Sequence, residues 1–240
     1  MSDLHFSIVK GVDVSDSHIA ACTDLFGAHY GIWSSKAVEE NSLLKPGARV
    51  KLSTSKVRAL CLSDPVHTTL ALCTLNDGSL VGHAFATQWS YGTGLVSWIT
   101  QLVVHTTHRR RGIATMLLRM LRTGSGFSAF GLVSSHPAAC MALSAIGDRH
   151  WINNTDLEFI RHSAPGMLSA TPVDYLKNPR LRGSLFEDKP VAGTVSSIDT
   201  QFYVDRGEPL AVLKASEGSW PLGALLEGHE FLIVVRVSSF

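Results

Sequence analysis

The chain has 240 residues, 45% of them hydrophobic and 17% charged, and a formal net charge of +1. That balance belongs to a globular protein with an ample core and is the reverse of a disordered segment. Near-neutrality argues against nucleic-acid binding by bulk electrostatics, which calls for a strong basic excess, while leaving room for a local anion site.

Taken in order, His5 to Val9 reads as a first strand, and residues 13–16 as a capping turn. Ser15 to Ile32 follows as a helix, with Ile19, Ala20, Leu25, Phe26 and Tyr30 at roughly helical spacing. Pro46 and Gly47 break the next segment, and Lys51 to Arg58 is basic and polar. Thr69 to Leu75 and Leu80 to Ala86 are strand-like, and Asn76-Asp77-Gly78-Ser79 between them is a hairpin signal. Leu95 to Val104 continues the series, so an antiparallel meander of three strands is expected. Gly112 to Leu121 is a helix, with Gly124 placed to end it. Phe130 to Ser134 reads as a buried strand and Pro137 to Ile146 as an apolar helix, with Gly147 at its C-cap.

Beyond this point the pattern weakens. Asn153 to Arg182 contains Pro165, Pro172 and Pro179 and has little regular period. Thr194 to Val204, Leu210 to Lys214 and Phe231 to Val237 read as strands by alternation. One of them is expected to complete the central sheet.

Cys22, Cys61, Cys73 and Cys140 are widely spaced, with no C-x-x-C pair. No zinc-type metal site is expected, and the thiols suit a reducing, cytoplasmic setting. The opening residues MSDLHFSIVKGVD lack the basic and long apolar regions of a signal peptide. No run approaches the ~20 apolar residues of a membrane span. The expectation is a cytoplasmic protein without membrane or nucleic-acid partners.

The most informative stretch is QLVVHTTHRRRGIATMLLRMLR, from Gln101 to Arg122. A strand ends at Val104, a basic turn carries Arg109, Arg110, Arg111 and Gly112, and a helix begins at Ile113, Ala114 and Thr115. The first N–H groups of a helix have no intrahelical acceptor, and the macrodipole there favours an anion such as a pyrophosphate. A missing side chain at Gly112 permits close approach to the backbone. A solvated basic turn or a nuclear-import patch is the plainer alternative, but three arginines are few for either.

Arg109-x-x-Gly112-x-Ala114 resembles the acyl-CoA pyrophosphate loop of the GNAT superfamily of N-acetyltransferases, written Q/R-x-x-G-x-G/A. The order strand, helix, three strands, helix, strand, helix fits that family from about residue 5 to about residue 160. The resemblance implies an α/β (α+β) fold with a mixed, mostly antiparallel central sheet. Helices flank it, its fourth and fifth strands splay apart, and a C-terminal extension follows. Residues 1–160 would form the acyl-CoA-binding core. Residues 161–240 would complete the sheet and either cap the cleft or form a subunit contact, in a monomer or a homodimer. Acetyl-CoA would be the co-substrate. Backbone groups of Leu102, Val103 and Val104 would pair with its pantetheine arm, and Arg109, Arg110, Arg111, Gly112, Ile113, Ala114 and Thr115 would hold its pyrophosphate. The implied reaction is direct attack by an amine on the thioester. The alternative is a non-catalytic acyl-CoA-binding module of the same fold.

The sequence departs from the family in its proton-transfer groups. The tyrosine that many relatives carry on the helix after the fifth strand would fall at Leu143 or Ser144. Ser135, His136 and Cys140 are the substitutes, and His136 is the expected acid. The early glutamate of the fourth strand is also missing, which leaves His83 and Glu230 as candidate bases. Trp89, Tyr91 and Trp98 would either line an acceptor pocket or serve as core aromatics.

Overall fold

The computed structural model describes residues 4–92, 94–122 and 126–238. Strand β1 (Leu4–Lys10) leads into helix α1 (Asp16–His29). Ser15 sets the start of α1: its hydroxyl accepts the His18 N–H, and a His18 ring nitrogen accepts the Ser15 N–H, a reciprocal cap. Two short helices follow, α2 (Ser35–Glu40) and α3 (Thr54–Cys61). In sequence the α3 stretch is only polar and basic. Ser53 caps it by accepting the Lys56 N–H at 3.2 Å, and Val57 and Cys61 are its buried residues. Two apolar anchors give too narrow a stripe for periodicity to reveal.

The expected meander is present as β2 (Thr68–Leu75), β3 (Leu80–Tyr91) and β4 (Gly94–Val104). Helix α4 (Ile113–Leu121) then buries Ile113, Leu117, Leu118 and Leu121, one stripe at helical spacing. Gly124, expected to end it, lies outside the described residues. Strand β5 (Phe127–Ser134) and helix α5 (Pro137–Ser144) complete the second strand–helix pair.

The remaining described elements are α6 (Leu157–Ser169), β6 (Leu181–Arg182), β7 (Ser197–Asp199), α7 (Gly207–Ala215) and β8 (His229–Arg236). Three expectations fail here. The proline-rich segment contains α6, capped by Asp156 on the Phe159 N–H at 3.0 Å, with Pro165 inside the helix. Burial of Ile160, Ala164, Met167 and Leu168 along one face outweighs the backbone bond that Pro165 removes. Leu210 to Lys214 is helical, within α7, because five residues are too few to separate period two from period 3.6. Of Thr194 to Val204, only Ser197–Asp199 is strand.

The eight described strands form one sheet in the order β1-β2-β3-β4-β5-β8-β7-β6. Every pairing is antiparallel except β4 with β5. Two layers of helices cover it. On one face α4 packs over β2 and β3, joining Ala84 and Ala86 to Ile113 and Leu117. Helix α5 lies on this face too, over β5 and β8, with α7 beside it. On the other face α1 and α3 cover Leu70, Leu72 and Phe85. Helix α6 continues that second layer, where Trp89 Nε1 donates to the Met167 carbonyl at 2.9 Å.

Candidate active site

The site arises where β4 and β5 part. Their parallel pairing runs from Leu95–Phe127 to Ile99–Leu132 and stops there, although β4 continues to Val104 and β5 to Ser134. On the other side of β4, Phe85 pairs with Gln101 and Ala86 with Ile99. Thr100 is therefore an extra residue, a bulge that bends the strand and turns it from its neighbour.

A cavity of about 460 Å³ fills the divergence. Thr100 to Leu102 form one edge of the gap and Leu132 to Ser134 the other, with Ala139 of α5 at its α5-side mouth. On the opposite face the walls are Phe26 of α1, Tyr30 at its C-cap, Trp33, Leu52 and Cys61. Tyr175, Arg180 and Phe202, from the segments after α6, close that side. The cavity thus passes through the sheet and reaches both helical layers.

The β4 backbone offers hydrogen-bonding groups to this gap. His105 donates to the Val81 carbonyl at 2.9 Å. By antiparallel alternation the bonded pairs on this strand are His105–Val81, Val103–His83 and Gln101–Phe85. Val103 therefore turns its N–H and carbonyl toward β3. Leu102 and Val104 turn theirs toward the gap.

Glu230, at the start of β8, is 9% exposed and lines the cavity. Burial pushes its carboxyl up to about 7, partly offset by the Thr200 hydroxyl and the Ser135 N–H. A carboxyl at that value exchanges protons readily near neutrality. His83, the other candidate base, is not on the cavity wall. Its Nε2 lies 2.7 Å from Gln101 Oε1, and burial lowers it to about 4, so it stays neutral and holds the Gln101 amide in place. Tyr175 sends its hydroxyl to the Thr100 carbonyl at 3.3 Å, at the bulge itself. Cys61 also faces the cavity, but burial pushes its thiol up to about 12 and denies it nucleophilic character.

The basic loop lies beyond the open end of the gap. Arg110 and Gly112 have left-handed backbones, with φ of 60° and 75°, the kind of geometry that gathers successive N–H groups into an anion-binding hollow. Gly112 is the N-cap of α4, and a methyl added there would meet nothing within 4 Å. The N–H groups of Ile113, Ala114 and Thr115 form the first turn that follows. Arg109 is more constrained: its Nη2 donates to the His29 carbonyl at 2.6 Å, and its Nη1 lies 2.8 Å from each carboxylate oxygen of Glu208 on α7.

His136 stands beside this basic loop, near Arg109 and Glu208, and is not among the residues that line the cavity. It caps α5, its Nδ1 accepting the Ala138 N–H at 3.1 Å, and its Nε2 is 3.6 Å from Glu208. Burial lowers its pKa, and the Glu208 carboxylate restores part of that loss. Cys140 is fully buried in the core, where desolvation raises its thiol. Trp98 is likewise fully buried, and Trp89 is tied to α6, so these two tryptophans are core residues, and neither they nor Tyr91 line the cavity. The cavity takes its aromatic side chains from α1, Trp33, Tyr175 and Phe202 instead. Glu208 and Tyr175 carried no sequence signal, because each meets its partner across the fold.

Residues 37–123 match the family model described as Acetyltransferase (GNAT) family. No curated relative matches the sequence. Among solved structures, the chain is similar to the NatC complex bound to Gag peptide and CoA, at 18% identity and a TM-score of 0.39, over 60% of this chain and 84% of that one. An aminoglycoside antibiotic 6'-N-acetyltransferase from Acinetobacter baumannii is similar at 16% identity and a TM-score of 0.32, over 50% of this chain and 69% of that one. The glucosamine N-acetyltransferase region of a fungal multi-domain GH3 beta-N-acetylglucosaminidase is similar at 12% identity and a TM-score of 0.39, over 55% of this chain and 14% of that one. The family match spans the meander, the basic loop and α4, so the part of the chain that is similar to acetyltransferases of the GNAT family is the part that borders one side of the gap.

Proposed function

We propose that this protein is an acyl-CoA-dependent N-acyltransferase that moves an acetyl group from acetyl-CoA to an amine by direct attack. The observation that carries this reading is the cavity through the sheet. It is bordered by the β4–β5 gap toward α5 and by the buried carboxyl of Glu230 toward α1. Two substrates could therefore meet from opposite faces.

The residues present suit acetyl-CoA. Arg109, Arg110 and Arg111 with the backbone of Gly112, Ile113, Ala114 and Thr115 would hold the pyrophosphate, and the open space outside Gly112 would admit it. Leu102 and Val104 would pair with the pantetheine amides, while Val103 keeps its bonds to β3. Once bound, the co-substrate supplies the acetyl group as an activated thioester. Glu230 then removes a proton from the incoming ammonium, since a protonated amine cannot attack. The Tyr175 hydroxyl is our assignment for returning a proton to the departing sulfur. His136, which the sequence alone suggested, sits instead by Glu208 and Arg109. The raised thiols of Cys61 and Cys140 favour direct transfer over an acyl-cysteine route.

Calorimetric titration with acetyl-CoA, paired with thiol release over a panel of amines, tests the reading. Binding with amine-dependent release supports it. Binding without release under any amine would leave a non-catalytic acyl-CoA module, and absence of binding would remove the assignment.

A further inference from the structure

We propose that the acceptor is a small primary monoamine on an aromatic body, an arylalkylamine in chemical terms, with its ring against Tyr30 and Phe202 and its ammonium at Glu230. This rests on the acyltransferase reading above and adds the substrate class.

The aromatic wall is continuous. Phe26 stacks on Tyr30 with ring centroids 4.3 Å apart, Tyr30 meets Phe202 at 6.1 Å, and Phe202 meets Trp33 edge-on at 5.4 Å. All four residues line the cavity. Rings arranged in this way present both faces and edges, the surfaces to which another ring packs best.

The charges select a single ammonium. Among the described residues, Asp199 is paired with Arg180 at 3.4 Å and Asp174 with Lys177 at 2.6 Å. Glu230 has no cationic partner among those residues, only the Thr200 hydroxyl and the Ser135 N–H. A buried carboxyl without a counter-charge is satisfied by one cation brought by a ligand. Lys177 and Arg180 also line the cavity, so the remaining ammonium groups of a polyamine or an aminoglycoside would meet like charge or the aromatic wall, at a desolvation cost.

The walls limit size. Tyr175, Lys177 to Arg180 and Ile198 to Phe202 border the α1 side, which narrows the space open to an acceptor. A cavity of about 460 Å³ is in the range that holds small ligands.

The test uses the full chain and acetyl-CoA, with 2-phenylethylamine, ethylamine, spermidine, kanamycin and a lysine-containing peptide as acceptors. 2-Phenylethylamine should exceed ethylamine in kcat/KM by about 50-fold, the scale of burying one ring. Phe202→Ala should raise KM for 2-phenylethylamine about tenfold, with kcat retained and ethylamine scarcely affected. Phe202→Leu serves if the alanine variant fails to fold. Equal or better turnover of spermidine, kanamycin or the peptide overturns the inference, as does an equal effect of the Phe202 variants on both monoamines. Acetyl-CoA binding with no turnover of 2-phenylethylamine also overturns it while the cofactor site stands. Failure to bind acetyl-CoA overturns the acyltransferase reading itself.

Discussion

Arg109 and Glu208 are joined across the fold: one guanidinium nitrogen of Arg109 lies 2.8 Å from both oxygens of the Glu208 carboxylate. Glu208 belongs to the first turn of α7, while Arg109 opens the basic loop before α4. A carboxylate therefore occupies an arginine that the proposed function assigns to pyrophosphate. Burial pulls the Glu208 pKa upward, but Arg109 and His136 outweigh it and hold the group below its usual range.

Glu208→Gln should accordingly strengthen acetyl-CoA binding. The pair is partly exposed, at 27% and 57%, so its own worth is at most about 1 kcal/mol and the gain about fivefold. Calorimetric titration at low and moderate salt would measure it. A loss of affinity would mean that Glu208 positions Arg109 and does not compete for it.

Gly112→Glu should abolish acetyl-CoA binding. The variant places a carboxylate at the anion site and a side chain on a backbone with φ of 75°. Gly112→Ala separates the two effects, since it keeps the conformational cost of about 1–2 kcal/mol and adds no charge. Binding by Gly112→Ala but not by Gly112→Glu identifies charge as the cause. Equal affinity in Gly112→Glu and the parent would remove the loop from the site.

Glu230 links activity and stability to pH in opposite directions. In the proposed role of base it would act only when ionised, so turnover should rise with pH through about 7. Glu230→Gln should lower kcat by about 10²–10⁴-fold. Its stability effect has the other sign. The folded-state pKa lies above the ordinary carboxyl value, so the folded protein binds the extra proton between them. Stability is full below about 4.5 and falls as pH rises toward about 7. The buried charge costs on the order of 3 kcal/mol once formed, and Glu230→Gln should therefore raise Tm at pH 8 and hardly change it at pH 4. A variant less stable at pH 8 would show that the carboxylate is well compensated.

Gly131 on β5 lies directly against the ring of Trp98, which is fully buried on β4. A methyl at position 131 would overlap ring carbons, so Gly131→Ala should destabilise the protein by about 1–3 kcal/mol. Urea unfolding of Gly131→Ala, Trp98→Leu and the double variant tests the contact. Strict additivity would show that the two residues act independently.

The loop from Arg109 to Thr115 was legible because its parts are contiguous: a strand, an arginine-glycine turn and a capped amphipathic helix follow one another in the chain. The meander was legible for the same reason, since a hairpin turn fixes which strands pair. Helix α6 was hidden by Pro165, and α7 by a run too short to show its period. Glu230 could be named as a titratable group, but not placed. Its position depends on β8 pairing with β5, where Phe231 meets Ser134, a contact between distant segments whose energy comes from burial and not from local pattern.

The sequence by itself determined the strand, basic turn and helix around Gly112, the five core strands up to β5 and the lack of a tyrosine on α5. Only the tertiary structure decided that His136 meets Glu208 at one end of the gap while Glu230 and Tyr175 line the cavity. Proton transfer and charge pairing need atoms within a few ångströms, and those distances are set by how the sheet closes and the helices pack, which no local spacing of residues encodes.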